Sequence, residues 1–303
     1  MKRPQHVERR VAVEDGELVY QVFGEGPPIL FLNGLGASWN GFHSQIAHLS
    51  NRYRCVVWEY RGLYADPDSR ARQRTTLSIA DHARDALAIL EHEGDDSAAL
   101  VGWSIGVQVA LQLFTAAPSR VALMLLVCGG ARAPWGNANE AGVLQRFFPS
   151  VLGLLERMPR LVSMIVQAGG RSPETLAWAR RIRLVGGDAD ADQLADVARS
   201  VARVDVSALF ETLRGMARDD LSFALSAVDV PTLVIGGDRD PFTPRAALER
   251  LVHQISGAEY LLLAGASHYL LLDHAEHVNL RIDKFFAERG YSGRPSMPSL
   301  HPR

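Results

Sequence analysis

Ser104 stands in Leu-Val-Gly-Trp-Ser-Ile-Gly-Val, residues 100–107, with a glycine two places before it and another two places after. An apolar run precedes this group and an apolar helical pattern follows, so the serine sits where a strand must turn sharply into a helix. Glycine on both flanks removes the side chains such a bend would crush and leaves one hydroxyl projecting from it. That hydroxyl has two uses: capping the helix that follows, or attacking an electrophile. A serine is a poor nucleophile near neutral pH and needs a base, and an imidazole with its pKa near ~6.5 suits the task. Of ten histidines, His268 is the candidate base, because it follows a predicted strand in a loop of small residues, Ala264-Gly265-Ala266-Ser267, and emerges at the same sheet edge as Ser104. His274 and His277 are spaced as a solvated helix start rather than a metal pair. His43, His48, His82 and His92 fall on predicted helices and are assigned to the surface.

The histidine in turn needs an acid that fixes its tautomer and stabilises the imidazolium. Gly236-Gly237-Asp238-Arg239-Asp240-Pro241-Phe242 directly follows an apolar strand. Asp238 lies close to the strand end, placed to brace the loop, whereas Asp240 extends toward His268 and is the candidate acid; its alternative use is as a turn aspartate before proline. The segment after the preceding strand, Cys128-Gly129-Gly130-Ala131, offers no acid. Attack on an acyl carbon builds an oxyanion, which needs backbone donors at the same edge. The amide of Ile105 is one candidate, and the amide of Leu35, in Asn33-Gly34-Leu35-Gly36, is the other. Those glycines also follow a strand as a dinucleotide-binding turn does, but the third glycine of that pattern is replaced by Trp39, which argues against it.

The elements that must position these groups are legible from hydrophobic period. Val11–Val13 and Leu18–Phe23 flank Glu14-Asp15-Gly16-Glu17 as an edge hairpin. Pro28–Leu32, Cys55–Trp58, Ala98–Val101, Val121–Val127, Pro231–Ile235 and Tyr260–Leu263 are short, continuously apolar runs of the kind found in parallel strands covered on both faces. Helical patterns over Phe42–Leu49, Leu77–Leu90, Ile105–Ala116, Pro244–Ile255 and Ala275–Phe286 alternate with them, which is the signature of βαβ units. The alternation stops between residues 134 and 226, where five helical segments follow one another: Phe147–Met158, Leu161–Gln167, Pro173–Leu184, Ala191–Val201 and Val206–Ala217. The expected organisation is therefore a sheet core over 1–133 and 227–289, interrupted by a helical insertion at 134–226, with a Pro- and Ser-rich tail at 290–303 predicted to be disordered.

Composition limits the classes of partner. The 303 residues carry 47% hydrophobic and 22% charged side chains and a formal net charge of −2, so nothing in the balance asks for nucleic acid or an acidic membrane. The longest apolar run is far below the ~20 residues a membrane-spanning helix needs. The basic N-terminus has no apolar segment behind it, so no secretory signal is expected. Cys55 and Cys128, the two cysteines, each fall inside an apolar strand and are expected to be buried thiols. A cytoplasmic location follows as the expectation.

With Ser104, Asp240 and His268 in that order on an interrupted βα sheet, the chain resembles the α/β-hydrolase superfamily over roughly residues 8 to 288. Asn33-Gly34-Leu35-Gly36 is similar to the family's His-Gly oxyanion segment, with asparagine for histidine. Glu59-Tyr60-Arg61-Gly62-Leu63-Tyr64 is similar to its Asp-x-Arg-Gly-x-Gly segment, with Glu59 and Tyr64 at the ends. The resemblance implies an α/β fold with a mostly parallel, doubly wound sheet. The insertion would then be a cap over the carboxyl edge, where Trp135, Phe147, Phe148, Met158, Met164 and Trp178 would either line the substrate pocket or glue the cap helices together, with Trp103 packing near the elbow and shaping the pocket. It further implies a serine hydrolase acting on an ester, lactone or activated acyl bond of a small, largely apolar substrate, without metal or cofactor. Hydrolysis of a carbon–carbon bond, cofactor-free perhydrolysis and a non-catalytic ligand-binding role on the same fold stay open, as does the oligomeric state. A haloalkane dehalogenase would need a carboxylate where Ser104 stands.

Overall fold

In the computed structural model, the residues described are 5–14, 16–64, 78–133, 150–169, 177, 180, 181, 185, 186, 189 and 191–292. Eight strands form one sheet in the order β1-β2-β4-β3-β5-β6-β7-β8. They are β1 (Val7–Val13), β2 (Gly16–Phe23), β3 (Pro28–Leu32), β4 (Arg54–Trp58), β5 (Ala98–Trp103), β6 (Val121–Val127), β7 (Thr232–Gly237) and β8 (Glu259–Leu263). β2 runs antiparallel to both β1 and β4; β4, β3, β5, β6, β7 and β8 pair in parallel. The continuous apolar runs are explained by burial on both faces: every residue of β5 and of β7 is buried. The outermost β1 is largely exposed, and β8 is half-buried along its length.

Helices α1 (His43–Leu49), α2 (Ile79–Glu93) and α3 (Ile105–Ala116) connect the first parallel strands. Ser78 begins α2 as a capping box, its hydroxyl accepting from the Asp81 amide while Asp81 Oδ2 accepts from the Ser78 amide at 2.8 Å. Between β6 and β7 the described residues hold no strand; they are helical at 150–155, in α4 (Pro159–Gly169), in α5 (Ala191–Val201) and in α6 (Val206–Arg218). Pro159 opens α4, where its missing amide costs nothing, and so splits the helical run expected over Phe147–Met158 from the next. After β7 come α7 (Arg245–Gln254), a four-residue turn of helix α8 (Leu270–Asp273) that the apolar pattern did not separate, and α9 (Ala275–Glu288).

Two apolar cores lie on opposite faces of the sheet. One packs Ile79, Ala83 and Ala86 of α2, Val107 and Ala110 of α3 and Leu248 of α7; the other packs Ile46 and Leu49 of α1 with Val278, Ile282 and Phe285 of α9. Described residues between β6 and β7 join both, Val204 and Met216 the first and Leu194 and Val197 the second. Leu152, Val162, Val206 and Phe210 form a smaller cluster of its own. Among the described residues no helix is long and apolar enough to cross a membrane.

The order of the strands also fixes where ligands can approach. The chain adds β4 on one side of β3 and then β5 on the other, so the loops leaving β3 and β5 diverge and open a crevice at the carboxyl edge. Those loops carry Leu35 and Ser104.

Candidate active site

Leu32 pairs with Gly102 across β3 and β5, so the turn after β5 begins against the end of β3. A Cβ built on Gly106 would lie 2.1 Å from the Leu32 carbonyl oxygen, and one on Gly102 would lie 2.4 Å from the Gly106 carbonyl oxygen. Strand, turn and helix can therefore close on one another only with glycine at both places. The bend forces Ser104 into φ 58°, ψ −118°, a conformation unfavourable for a residue with a Cβ. Its amide donates to the Val127 carbonyl at 2.9 Å, which anchors the turn to β6. Ser104 is the residue before α3, yet its side chain makes no capping bond to that helix. The hydroxyl faces His268 instead, with Oγ 3.2 Å from Nε2.

His268 leaves the sheet after β8. Its Nδ1 lies 2.8 Å from Asp240 Oδ2, so the carboxylate accepts the Nδ1 proton and leaves Nε2 free to accept from the serine. Asp240 follows β7, and its side chain is fully buried. Burial pushes its pKa up, but the His268 charge and hydrogen bond, joined by the Thr243 and Phe242 amides, outweigh that and hold the carboxyl below its ordinary value. Oδ1 accepts from Phe242 at 2.8 Å and from Thr243 at 3.0 Å. Thr243 in turn donates to the Cys128 carbonyl at 2.8 Å, tying this loop to the end of β6. Asp238 braces the loop: its Oδ1 accepts from the Gly265 amide at 2.7 Å, joining the loops that carry Asp240 and His268.

Leu35 and Ile105 sit at the two loop ends of the crevice. Ile105 is the first residue of α3, so its amide has no intrahelical acceptor; the Leu35 amide meets no acceptor among the described residues. Asn33, in the position of the family's histidine, is buried and donates through Nδ2 to the Trp58 carbonyl, bracing β3 against β4. Trp103 is 1% exposed, its ring against Phe42 and Tyr269; the structure puts it in the core behind His268. Trp135, Phe147, Phe148 and Trp178 lie outside the described residues. Met158 and Met164 are exposed, Met164 at 69%.

Two of the histidines assigned to the surface are in fact buried. His82 is fully enclosed, stacked on Tyr60 with ring centroids 4.3 Å apart, and burial with nearby Arg61 lowers its pKa to about 3. His43 is also buried, at the start of α1. Both lie on helix faces turned inward, which a helical period containing other polar residues conceals.

Two acids near the site have roles that the sequence does not show: Glu59, noted only as the end of a family-like segment, and Asp273, not singled out at all. Glu59, after β4, accepts the Trp39 amide through Oε1 at 3.1 Å and so holds the loop that follows β3; burial pushes its pKa up to about 7 against the Trp39 amide, the Ser38 side chain and Arg203. Asp273 closes α8 with a fully buried carboxylate. Its one signal in the sequence is an acid ending the apolar run Leu270–Leu272, five places past His268.

Among the described residues, one group of side chains could approach a metal: donor atoms of Cys128, Asp240 and His268 all lie within 4.8 Å of one another. The Asp240 and His268 atoms are already hydrogen-bonded, and burial, with the nearby Asp240 charge, holds the Cys128 thiol well above its ordinary pKa. A neutral thiol is a poor ligand.

Residues 27–275 match the family model described as alpha/beta hydrolase fold. The chain belongs to that family and is a hydrolase of it. It is 25% identical over 270 residues to a pimeloyl-[acyl-carrier protein] methyl ester esterase of Aeromonas hydrophila, a match covering 87% of this chain and 96% of that protein. It is 28% identical over 256 residues to polyketide synthase ThaQ of Burkholderia thailandensis, covering 84% of this chain but only 11% of that much longer protein. The esterase EaEST of Exiguobacterium antarcticum superposes with a TM-score of 0.77 at 19% identity, covering 93% of this chain and all of that one (100%), and shares the fold.

Proposed function

We propose that the chain is a serine hydrolase that cleaves an ester, lactone or related acyl bond of a small, largely apolar substrate through an acyl-enzyme. The observation that carries this is the relay in which Ser104, free of any capping bond, meets His268 Nε2 at 3.2 Å while Nδ1 meets the buried Asp240 at 2.8 Å. Ser104 Oγ attacks the acyl carbon as Nε2 takes its proton, and Asp240 stabilises the imidazolium that forms. The Leu35 and Ile105 amides stabilise the oxyanion. Collapse of the tetrahedral intermediate expels the leaving group, which receives the proton from Nε2. Water, deprotonated by the same nitrogen, then releases the acid and restores Ser104.

The helical insertion acts as the cap in this proposal, and specificity resides in its side chains. Buried thiols at Cys55 and Cys128 support a reducing, cytoplasmic setting. Labelling with a fluorophosphonate tests the chemistry directly: the folded wild type labels and Ser104→Ala does not. A folded wild type that resists the probe overturns the proposal in favour of a binding role. p-Nitrophenyl esters of graded chain length, set beside a panel of lactones, define the acyl group. Labelling of Ser104 without turnover of either series redirects the assignment to carbon–carbon bond hydrolysis.

A further inference from the structure

Asp273 is an acid the relay does not use, and its buried carboxylate collects donors from two parts of the molecule. Oδ2 accepts from the Ser267 hydroxyl at 2.5 Å, from the Ser267 amide at 3.4 Å and from the Gly186 amide at 2.9 Å. Oδ1 accepts from His274 Nδ1 at 3.0 Å. The Ser267 hydroxyl, while donating to Asp273, accepts from the Tyr269 amide at 3.1 Å. One carboxylate therefore fixes the residue before His268 directly and the residue after it through Ser267.

Gly186 belongs to the helical insertion, not to the sheet core. A Cβ built there would lie 2.3 Å from Asp273 Oδ2 and 2.8 Å from Asp273 Cβ, so the insertion backbone reaches this carboxylate only as glycine. A carboxylate sharing one oxygen among three donors loses all three contacts together when it is displaced, and a buried acceptor left unpaired is costly. We infer that Asp273 is a positioning residue that latches the insertion, at Gly186, to the backbone on both sides of His268, so that seating of the insertion and alignment of the base occur together. The inference rests on the assignment of His268 as the base of the relay.

The test is the rate at which a small alkyl fluorophosphonate modifies Ser104, separated into its binding constant and its maximal inactivation rate. Asp273→Ala, which removes the acceptor, lowers the maximal rate by about 10-fold or more. Asp273→Asn, whose amide oxygen can take the place of Oδ2, recovers most of it. Gly186→Ala, which leaves every acid in place but pushes the insertion off Asp273, lowers the maximal rate as Asp273→Ala does. A purely structural acid would lower the unfolding temperature of these variants and leave the maximal rate alone; folded Asp273→Ala or Gly186→Ala reacting at the wild-type rate overturns the latch. Hydrogen exchange in the wild type gives a readout that needs no variant to fold. Modification of Ser104 slows exchange in peptides spanning 183–187 and 266–270 together, and a change in only one of them, or in neither, overturns the inference. A folded wild type that is not modified at all overturns the relay and the positioning role with it, whereas a reactive wild type with unaltered variants overturns the latch alone.

Discussion

The indole N–H of Trp103 donates to the carbonyl oxygen of His268 at 3.0 Å. The residue immediately before the candidate nucleophile thus holds the backbone of the candidate base, and the two loops that must agree on the position of one proton are tied by a bond buried behind it. Trp103 ends β5 and His268 lies after β8, so this contact spans the width of three strands and is independent of the relay itself.

Trp103→Phe keeps an aromatic ring in the core but deletes the donor. The orphaned buried carbonyl costs about 1–3 kcal/mol, and the freed His268 backbone lets the imidazole drift from Ser104. A misplacement of about 1 Å can cost on the order of 100-fold, so ester turnover falls by about 10- to 100-fold while fluorophosphonate labelling persists at a slower rate. Steady-state kinetics beside thermal unfolding check this; a variant that loses stability but keeps wild-type turnover removes Trp103 from the positioning of His268.

Asp240→Asn separates geometry from proton logic. An asparagine oxygen can still accept the Phe242 and Thr243 amides that Oδ1 now holds, so the loop keeps its shape. The amide nitrogen then points at His268 Nδ1, which must become an acceptor, and the remaining proton moves to Nε2, where it blocks acceptance from Ser104. Turnover is expected to fall by about 10³- to 10⁴-fold with the fold retained. Measured kcat within a factor of about ten of wild type removes Asp240 from the role of orienting acid.

The parts of the site that could be read from sequence were those set by chain order and strand ends. Ser104, Asp240 and His268 each follow an apolar run, and parallel strands deliver their loops to one edge whatever the helices do. Asp240 and Asp238 separated on reach alone, and the structure gives Asp238 to Gly265. What stayed hidden depends on contacts between distant segments. His82 is polar on a helix, and only the position of Tyr60 reveals that its face is inward. Asp273 reads as an ordinary acid, and Glu59 as the end of a family-like segment without a stated role, until the fold encloses them, since a carboxylate's burial is decided by what packs over it and not by its neighbours in sequence.

Gly106→Ala tests the steric basis of the elbow. Its new methyl would lie 2.1 Å from the Leu32 carbonyl oxygen, which belongs to a central strand and cannot give way without disturbing the sheet. A loss of about 3 kcal/mol follows, or roughly 6–12 °C in unfolding temperature. Gly153→Ala is the control: a Cβ there meets nothing within 4 Å and lies in a helical stretch, so the variant is expected to be as stable as wild type or slightly more so. Equal unfolding temperatures for the two variants would remove close backbone approach as the reason for glycine at 106.

Glu59 and His82 predict opposite dependences of stability on pH. Burial raises the folded pKa of Glu59 from 4.5 to about 7, so the folded state holds a proton that the unfolded chain releases. Its contribution is fully present below pH ~4.5 and is lost as pH rises through 7; at ~1.4 kcal/mol per pH unit it amounts to at most roughly 3.5 kcal/mol. Asp85, also raised to about 7 by burial against the pull of Arg61, acts in the same direction. His82 is lowered from 6.5 to about 3; its stability is present above pH ~6.5 and is lost as pH falls toward 3. Gln at 59 mimics the protonated acid at every pH. The unfolding temperature of Glu59→Gln should therefore match wild type near pH 5 and exceed it progressively by pH 8, while His82→Gln gains on wild type as pH falls from 6.5 to 4. A Glu59→Gln difference that does not grow between pH 5 and 8 shows that Glu59 ionises freely in the folded protein. The loop after β3 would then be held by a carboxylate rather than by a neutral acid.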